Sequence, residues 1–181
     1  MAIDLFLRDG YAQTTIDSIA AAGGINGTTF FRYFDSKAEI VWAEFDAHTA
    51  RLRARLNEDQ GFAPSLDAVR TAVIEALRAD LDDAGLSMRR FRLLDSSSDL
   101  RSQESEHWLS WAESIAQFVA HRHHLDEHAA IPSAVGGAMQ ATMLATLRAW
   151  VGRHVDPPGI LADLDLALKP ICQALQSLLD T

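Results

Sequence analysis

The chain has 181 residues, 48% of them hydrophobic and 23% charged, the size and composition of a globular protein with a sizeable core. No apolar run reaches the length of a membrane span, no basic stretch leading into an apolar one marks a signal peptide near Met1, and a single cysteine, Cys172, excludes an internal disulfide framework and fits a reducing, cytoplasmic setting. The net charge of −9 argues against nucleic-acid binding spread over the whole surface, so any such role must be local.

Residues 2–9, with Ile3, Leu5 and Phe6 apolar, read as two helical turns closed by Gly10, with Tyr11 packing back. A second short helix follows over residues 15–22, capped by Thr14 or Thr15. Gly23 and Gly24 supply a tight turn, and Asn26 reads as the N-cap of an aromatic third helix running to Phe34. Two short helices joined by a glycine turn make a helix-turn-helix, whose second helix enters the DNA major groove. Ile16, Ile19, Ile25, Phe30 and Phe34 should form its core. Ser36 and Glu39 have the spacing of a capping box and begin a long helix over about 37–59, with Ile40, Val41, Phe45, His48, Leu52 and Leu56 as its apolar stripe. Arg51, Arg53 and Arg55 near its far end read as a solvated face.

Gly61–Ser65 breaks the pattern. Four more helices are predicted, at about 65–80, 88–94, 100–124 and 131–153, with the polar run 95–99 as a loop or strained joint. Pro157-Pro158-Gly159 breaks the chain again before a leucine-rich helix at about 160–180. Nothing alternates with period two, so no sheet is predicted. The fold class is all-α with about nine helices: a three-helix head over residues 1–38 and a larger bundle over 39–181.

The run TTIDSIAAAGGINGTTFFRYFDSKAEI resembles the DNA-binding motif of the TetR family of bacterial transcriptional regulators. The longer run from Phe30 to Leu56 is similar to the subgroup that regulates mycofactocin-type systems. The resemblance assigns Asn26, Gly27, Thr28, Thr29, Phe31 and Arg32 to the groove-facing side, with Arg32 placed for a bidentate contact to guanine. Phe31 stands where the family often has tyrosine, which exchanges a phenolic phosphate contact for a thymine-methyl contact. Gly27 stands where a polar or basic residue is common, which predicts weaker readout there. Thr15, Lys37 and Tyr33 are the expected phosphate contacts. Residues 1–37 hold three basic and four acidic side chains, a balance of −1, so the usual basic footprint is missing. The first helix is also shorter than the family pattern, implying either a start further upstream or weak DNA binding.

The family design also implies an apolar effector pocket in the bundle, for which Met88, Phe91, Trp108, Trp111, Ile115, Met139 and Met143 are the candidates, and the subgroup implies a long-chain acyl-CoA or similar lipid-like effector. It implies a homodimer through the last two helices, where Gly136, Gly137, Ala134, Ala138, Ala141 and Ala145 permit close approach and Leu164, Leu168, Ile171, Leu175 and Leu178 continue the face. The expected partners are double-stranded operator DNA, a second copy and the effector, with no membrane. His124 and His128 have a ligand-like spacing, but they straddle a predicted helix end without a cysteine, so no metal is assigned. No phosphate-cradling loop, Gly-x-Ser-x-Gly or nucleophile–base pair is present, so no cofactor or catalysis is expected. The competing reading is a helical ligand-binding or adaptor protein whose DNA binding is weak or lost.

Overall fold

The computed structural model describes all residues except 82–84, 127–128, 152–156 and 181. Every regular element among them is a helix: α1 (Ala2–Asp9), α2 (Ile16–Ala22), α3 (Gly27–Phe31), α4 (Glu39–Asn57), α5 (Ser65–Asp80), α6 (Leu86–Ser96), α7 (Ser98–Arg122), α8 (Ala130–Val151) and α9 (Pro157–Leu179). No helix among the described residues is long and apolar enough to cross a membrane.

The head is set by local chemistry. Thr15 Oγ1 accepts the Ser18 amide at 3.1 Å, and Asn26 Oδ1 accepts the Thr29 amide at 2.8 Å, so both short helices carry side-chain caps. Of the two turn glycines only Gly24 needs to be one, at φ 66°; Gly23 is ordinary right-handed backbone. Ile19 and Phe30 are buried, and Ile16 and Phe34 pack against them half-buried. Ile25 departs from the expected core: it sits on the turn, 40% exposed, with its amide bonded back to the Ala20 carbonyl. α3 is shorter than expected, ending at Phe31 in a turn through Arg32 and Tyr33.

The head core is not closed by the head alone. Val41 and Trp42 of α4, Leu93 and Leu94 of α6, and Leu100 of α7 complete it around Ile3, Phe6 and Tyr11. The larger core lies among α4, α5, α7, α8 and α9, centred on the fully buried Trp111, Ile115, Met139, Leu164 and Leu168. Leu164 and Leu168, expected on a dimer face, therefore serve the interior of one protomer.

Two boundaries differ from expectation. Residues 95–99 are not a loop: the break is the single residue Ser97, at φ −92° and ψ 120°, with helix on either side. The neighbouring serines are spent on helix ends, Ser96 Oγ donating to the Leu93 carbonyl at 3.3 Å and Ser102 Oγ to that of Asp99 at 2.7 Å. Pro157-Pro158-Gly159 does not precede α9 but opens it, since a first turn has no use for the amide that proline lacks.

The adjacent glycines of α8 do different work. A Cβ on Gly136 would lie 2.3 Å from the Ala112 carbonyl oxygen, so α8 rests against α7 at a distance that only glycine allows. A Cβ on Gly137 would meet nothing within 4 Å. Gly136→Ala should destabilise the protein by roughly 1–3 kcal/mol, because the clash is with backbone that cannot turn aside. Urea denaturation checks this; an unchanged midpoint would show that the helices can separate at no cost.

Candidate nucleic-acid interface and apolar cavity

Of the expected DNA contacts, Asn26 to Tyr33 lie on α3, its cap and the turn after it, while Thr15 caps α2 and Lys37 lies further on. Thr28, Phe31, Arg32 and Tyr33 are exposed, Phe31 at 54% and Tyr33 at 63%; Gly27 and Thr29 are half-buried. Phe31 stands edge-on to the buried Phe30 with ring centroids 5.5 Å apart, which holds it outward. Asn26 and Thr15 are exposed, with their side-chain oxygens taken up in capping. Gly27 has room for a side chain, its nearest neighbour being Asp17 Oδ1 at 3.6 Å from a built Cβ.

The cations of the head divide sharply. Arg8 is bound by Asp9 through two contacts of 2.7 Å. Lys37 turns inward instead of toward a phosphate: its ammonium donates to the carbonyls of Tyr11 at 2.7 Å, Thr14 at 3.1 Å and Ala12 at 3.3 Å, and lies 4.4 Å from the Tyr11 ring centroid. Those three donors exhaust an ammonium group. Arg32 is the cation of the described head held neither by a carboxylate nor by backbone carbonyls. Its Nη2 donates to the Tyr33 hydroxyl at 3.1 Å, with the guanidinium 4.9 Å from that ring's centroid.

The bundle holds a cavity of about 80 Å³ between α4, α5, α6, α7 and α8. Met88, Phe91, Trp108 and Met143 line it as expected, whereas Trp111, Ile115 and Met139 lie behind it in the solid core. Residues not expected at the pocket share the wall: Leu77, Asp80, Arg90 and, from the apolar stripe, Phe45 and His48. Trp111 Nε1–H donates to His48 Nε2 at 3.1 Å, which places the imidazole proton on Nδ1, facing the Asp80 carboxylate. Arg51 holds the other Asp80 oxygen. A chain of four side chains thus joins α7, α4 and α5 along one edge of the cavity.

Arg51 therefore leaves the solvated face, and Arg53, though exposed, is tied to α7: its Nε donates to Ser114 Oγ at 2.8 Å and Nη2 to Ser110 Oγ at 2.9 Å. Of the three arginines, Arg55 alone keeps the solvated description, beside Glu58 at 3.2 Å. The histidine run ends α7: His123 Nε2 meets Ser65 Oγ at 2.7 Å, His124 adopts φ 55°, and His128 lies outside the described residues. Cys172 is buried beside Met139, and burial pushes its thiol up to about 11, so it packs as an inert apolar group.

Arg32→Ala should weaken specific DNA binding by roughly 1–3 kcal/mol. Lys37→Ala should cost about 1–3 kcal/mol of folding stability through unpaired carbonyls while leaving the salt dependence of DNA binding unchanged. A fall of about one in the log–log salt slope for Lys37→Ala would identify a phosphate contact and overturn the inward assignment.

Comparison with known proteins matches two stretches of the chain. Residues 1–43 match the family profile described as bacterial regulatory proteins, tetR family, and residues 63–176 match that of the MftR C-terminal domain. A Mycobacterium tuberculosis protein assigned as the mycofactocin biosynthesis transcriptional regulator MftR is 30% identical over 151 residues, 83% of this chain and 76% of that one. The DNA-binding transcriptional repressor TetR of Mycobacteroides abscessus is 34% identical over 68 residues, 38% of this chain and 36% of that one. In three dimensions the chain resembles the crystal structure of a protein from Mesorhizobium loti described as a TetR-family transcriptional regulator, with a TM-score of 0.61 at 14% identity, covering 96% of this chain and 92% of that one. The chain belongs to the TetR family of bacterial DNA-binding transcriptional regulators, with a C-terminal domain of the MftR type.

Proposed function

We propose that this regulator is a homodimeric repressor whose operator complex is released by an apolar effector of the long-chain acyl-CoA type. The observation that carries the reading is the position of α6. Met88, Arg90 and Phe91 on this helix line the cavity, while Leu93 lies in the head core and Arg89 pairs with Asp4 of α1. An occupant that shifts α6 therefore moves the head through direct packing, in parallel with α4. At about 80 Å³ the cavity is far below the roughly 300–1,000 Å³ of drug-sized ligand sites, so a long chain fits only a state in which α6 has moved. That requirement supplies the differential affinity by which a ligand shifts an equilibrium.

In this reading residues 1–38 form the DNA-binding unit and 39–181 the ligand-binding and dimerisation unit. Residues 27–32 enter the major groove, Arg32 addresses guanine, and Thr15, Asn26 and Tyr33 support it at the backbone. The name of the Mycobacteroides relative supports a repressor, and the likeness to the MftR group supports a lipid-like effector. The relatives are regulators, which fits a chain that is not an enzyme.

Dimerisation is supported by a small-residue face on α8, where Ala134, Gly137, Ala141 and Ala145 are exposed, and by Leu166 on α9, exposed at 74%. Two heads are needed to read a palindrome. Leu166→Glu should give monomers that keep their helical circular dichroism, measured by sedimentation; a persistent dimer would remove α9 from the interface.

The function is tested by salt-titrated binding to the DNA upstream of its own gene, with and without long-chain acyl-CoA. Specific binding that falls steeply with salt and is released by the acyl-CoA is expected. Binding without release would overturn the effector; no specific binding at low salt would favour the adaptor reading.

A further inference from the structure

The apolar cavity has one charged corner, where Glu44, Asp80 and Arg90 line the wall and Arg51 stands just behind it, two guanidinium groups against two carboxylates. Glu44 of α4 stands 3.3 Å from Arg90 of α6 and 3.9 Å from Arg51 of α4, so two guanidinium groups converge on one carboxylate. Arg51 also holds Asp80, whose second oxygen faces His48. Among the described residues, Nε of Arg51 and Nε of Arg90 are both buried without an acceptor. A guanidinium presents its Nε–H and an Nη–H as a fork matched to the two oxygens of one anion. Neither arginine has both prongs of that fork filled here. Orphaned buried donors are rare and ask for an explanation.

We propose that this corner receives the anionic head of the effector, so that the ligand class is an aliphatic chain ending in a carboxylate or phosphate, its chain in the cavity and its head between Arg90 and Arg51. This rests on the reading of the cavity as an effector site and adds the head group to it. The remainder of the wall, including Phe45, Phe91, Trp108 and Met143, is apolar and suits the chain. The incoming anion competes with Glu44 for Arg90. Releasing Glu44 cuts an ion pair between α6 and α4, and α4 is the helix that follows the DNA-binding head. The head group therefore acts on the same joint that the chain forces apart. A neutral chain of equal length makes the same apolar contacts but offers Arg90 no replacement for Glu44.

The test is a titration of the full-length protein, read by tryptophan fluorescence because Trp108 lines the cavity. The ligands are dodecanoate, methyl dodecanoate and dodecanoyl-CoA, against wild type, Arg90→Gln and Glu44→Gln. An anionic ligand should bind at least about tenfold more tightly than the ester. Whether dodecanoate or the CoA thioester gains the advantage identifies the source of the anion. Arg90→Gln should abolish the difference, and Glu44→Gln should tighten only the anionic ligands. An ester that binds wild type as tightly as both anions overturns the head-group site and leaves the apolar pocket standing. A preference that survives Arg90→Gln also overturns it. If none of the three binds, the effector reading falls with it. The wild-type comparison needs no variant, so a substitution that unfolds the protein does not protect the proposal.

Discussion

The structure depends on one helix having two burdens. α6 offers Phe91 and Met88 to the cavity and Leu93 to the head, and Leu94 touches both. A core residue shared between two units makes each sensitive to the other's packing, because interiors are dense and respond to small displacements by rearranging rather than by stretching. The single-residue break at Ser97 sharpens this arrangement. α6 passes into α7 with almost no slack, and Leu100, just beyond the break, is again a head-core residue. The proposed division at residue 38 is thus not a division of packing.

The polar interior follows the same logic. The chain from Trp111 through His48 and Asp80 to Arg51 satisfies groups that would be costly to bury alone. It also pins α4, α5 and α7 together along one edge of the cavity. α6 closes the cavity from the side of the head, held there by Arg89–Asp4 and Arg90–Glu44.

Features legible in the sequence are those decided within a few residues. Thr15 and Asn26 cap the helices that follow them because the acceptor and the orphan amide are three residues apart. Helix periodicity placed most elements correctly for the same reason. What was not legible is decided by partners far along the chain. Lys37 bonds carbonyls 23 to 26 residues away, so its inward turn has no local signature. Trp108 and Trp111 lie one turn apart on α7 with equal apolar character, yet one borders the cavity and the other fills the core. Trp42, absent from the expected stripe, is buried because His107 stacks on it at 4.1 Å across from α7. The serine run at 95–99 and the prolines of α9 misled for another reason: residues that favour loops also favour the ends of helices.

The internal use of the head's cations bears on how the regulator competes for its site. Arg8 is neutralised by Asp9, and Lys37 is spent on carbonyls. Few positive groups are left to release counterions from DNA of arbitrary sequence, and that release supplies most non-specific affinity. A genome presents on the order of a million or more wrong sites, so the ratio of specific to non-specific binding governs occupancy more than affinity alone. A nearly neutral reading head sacrifices attraction to every stretch of DNA equally. Discrimination by such a surface rests more on contacts to particular bases than on charge.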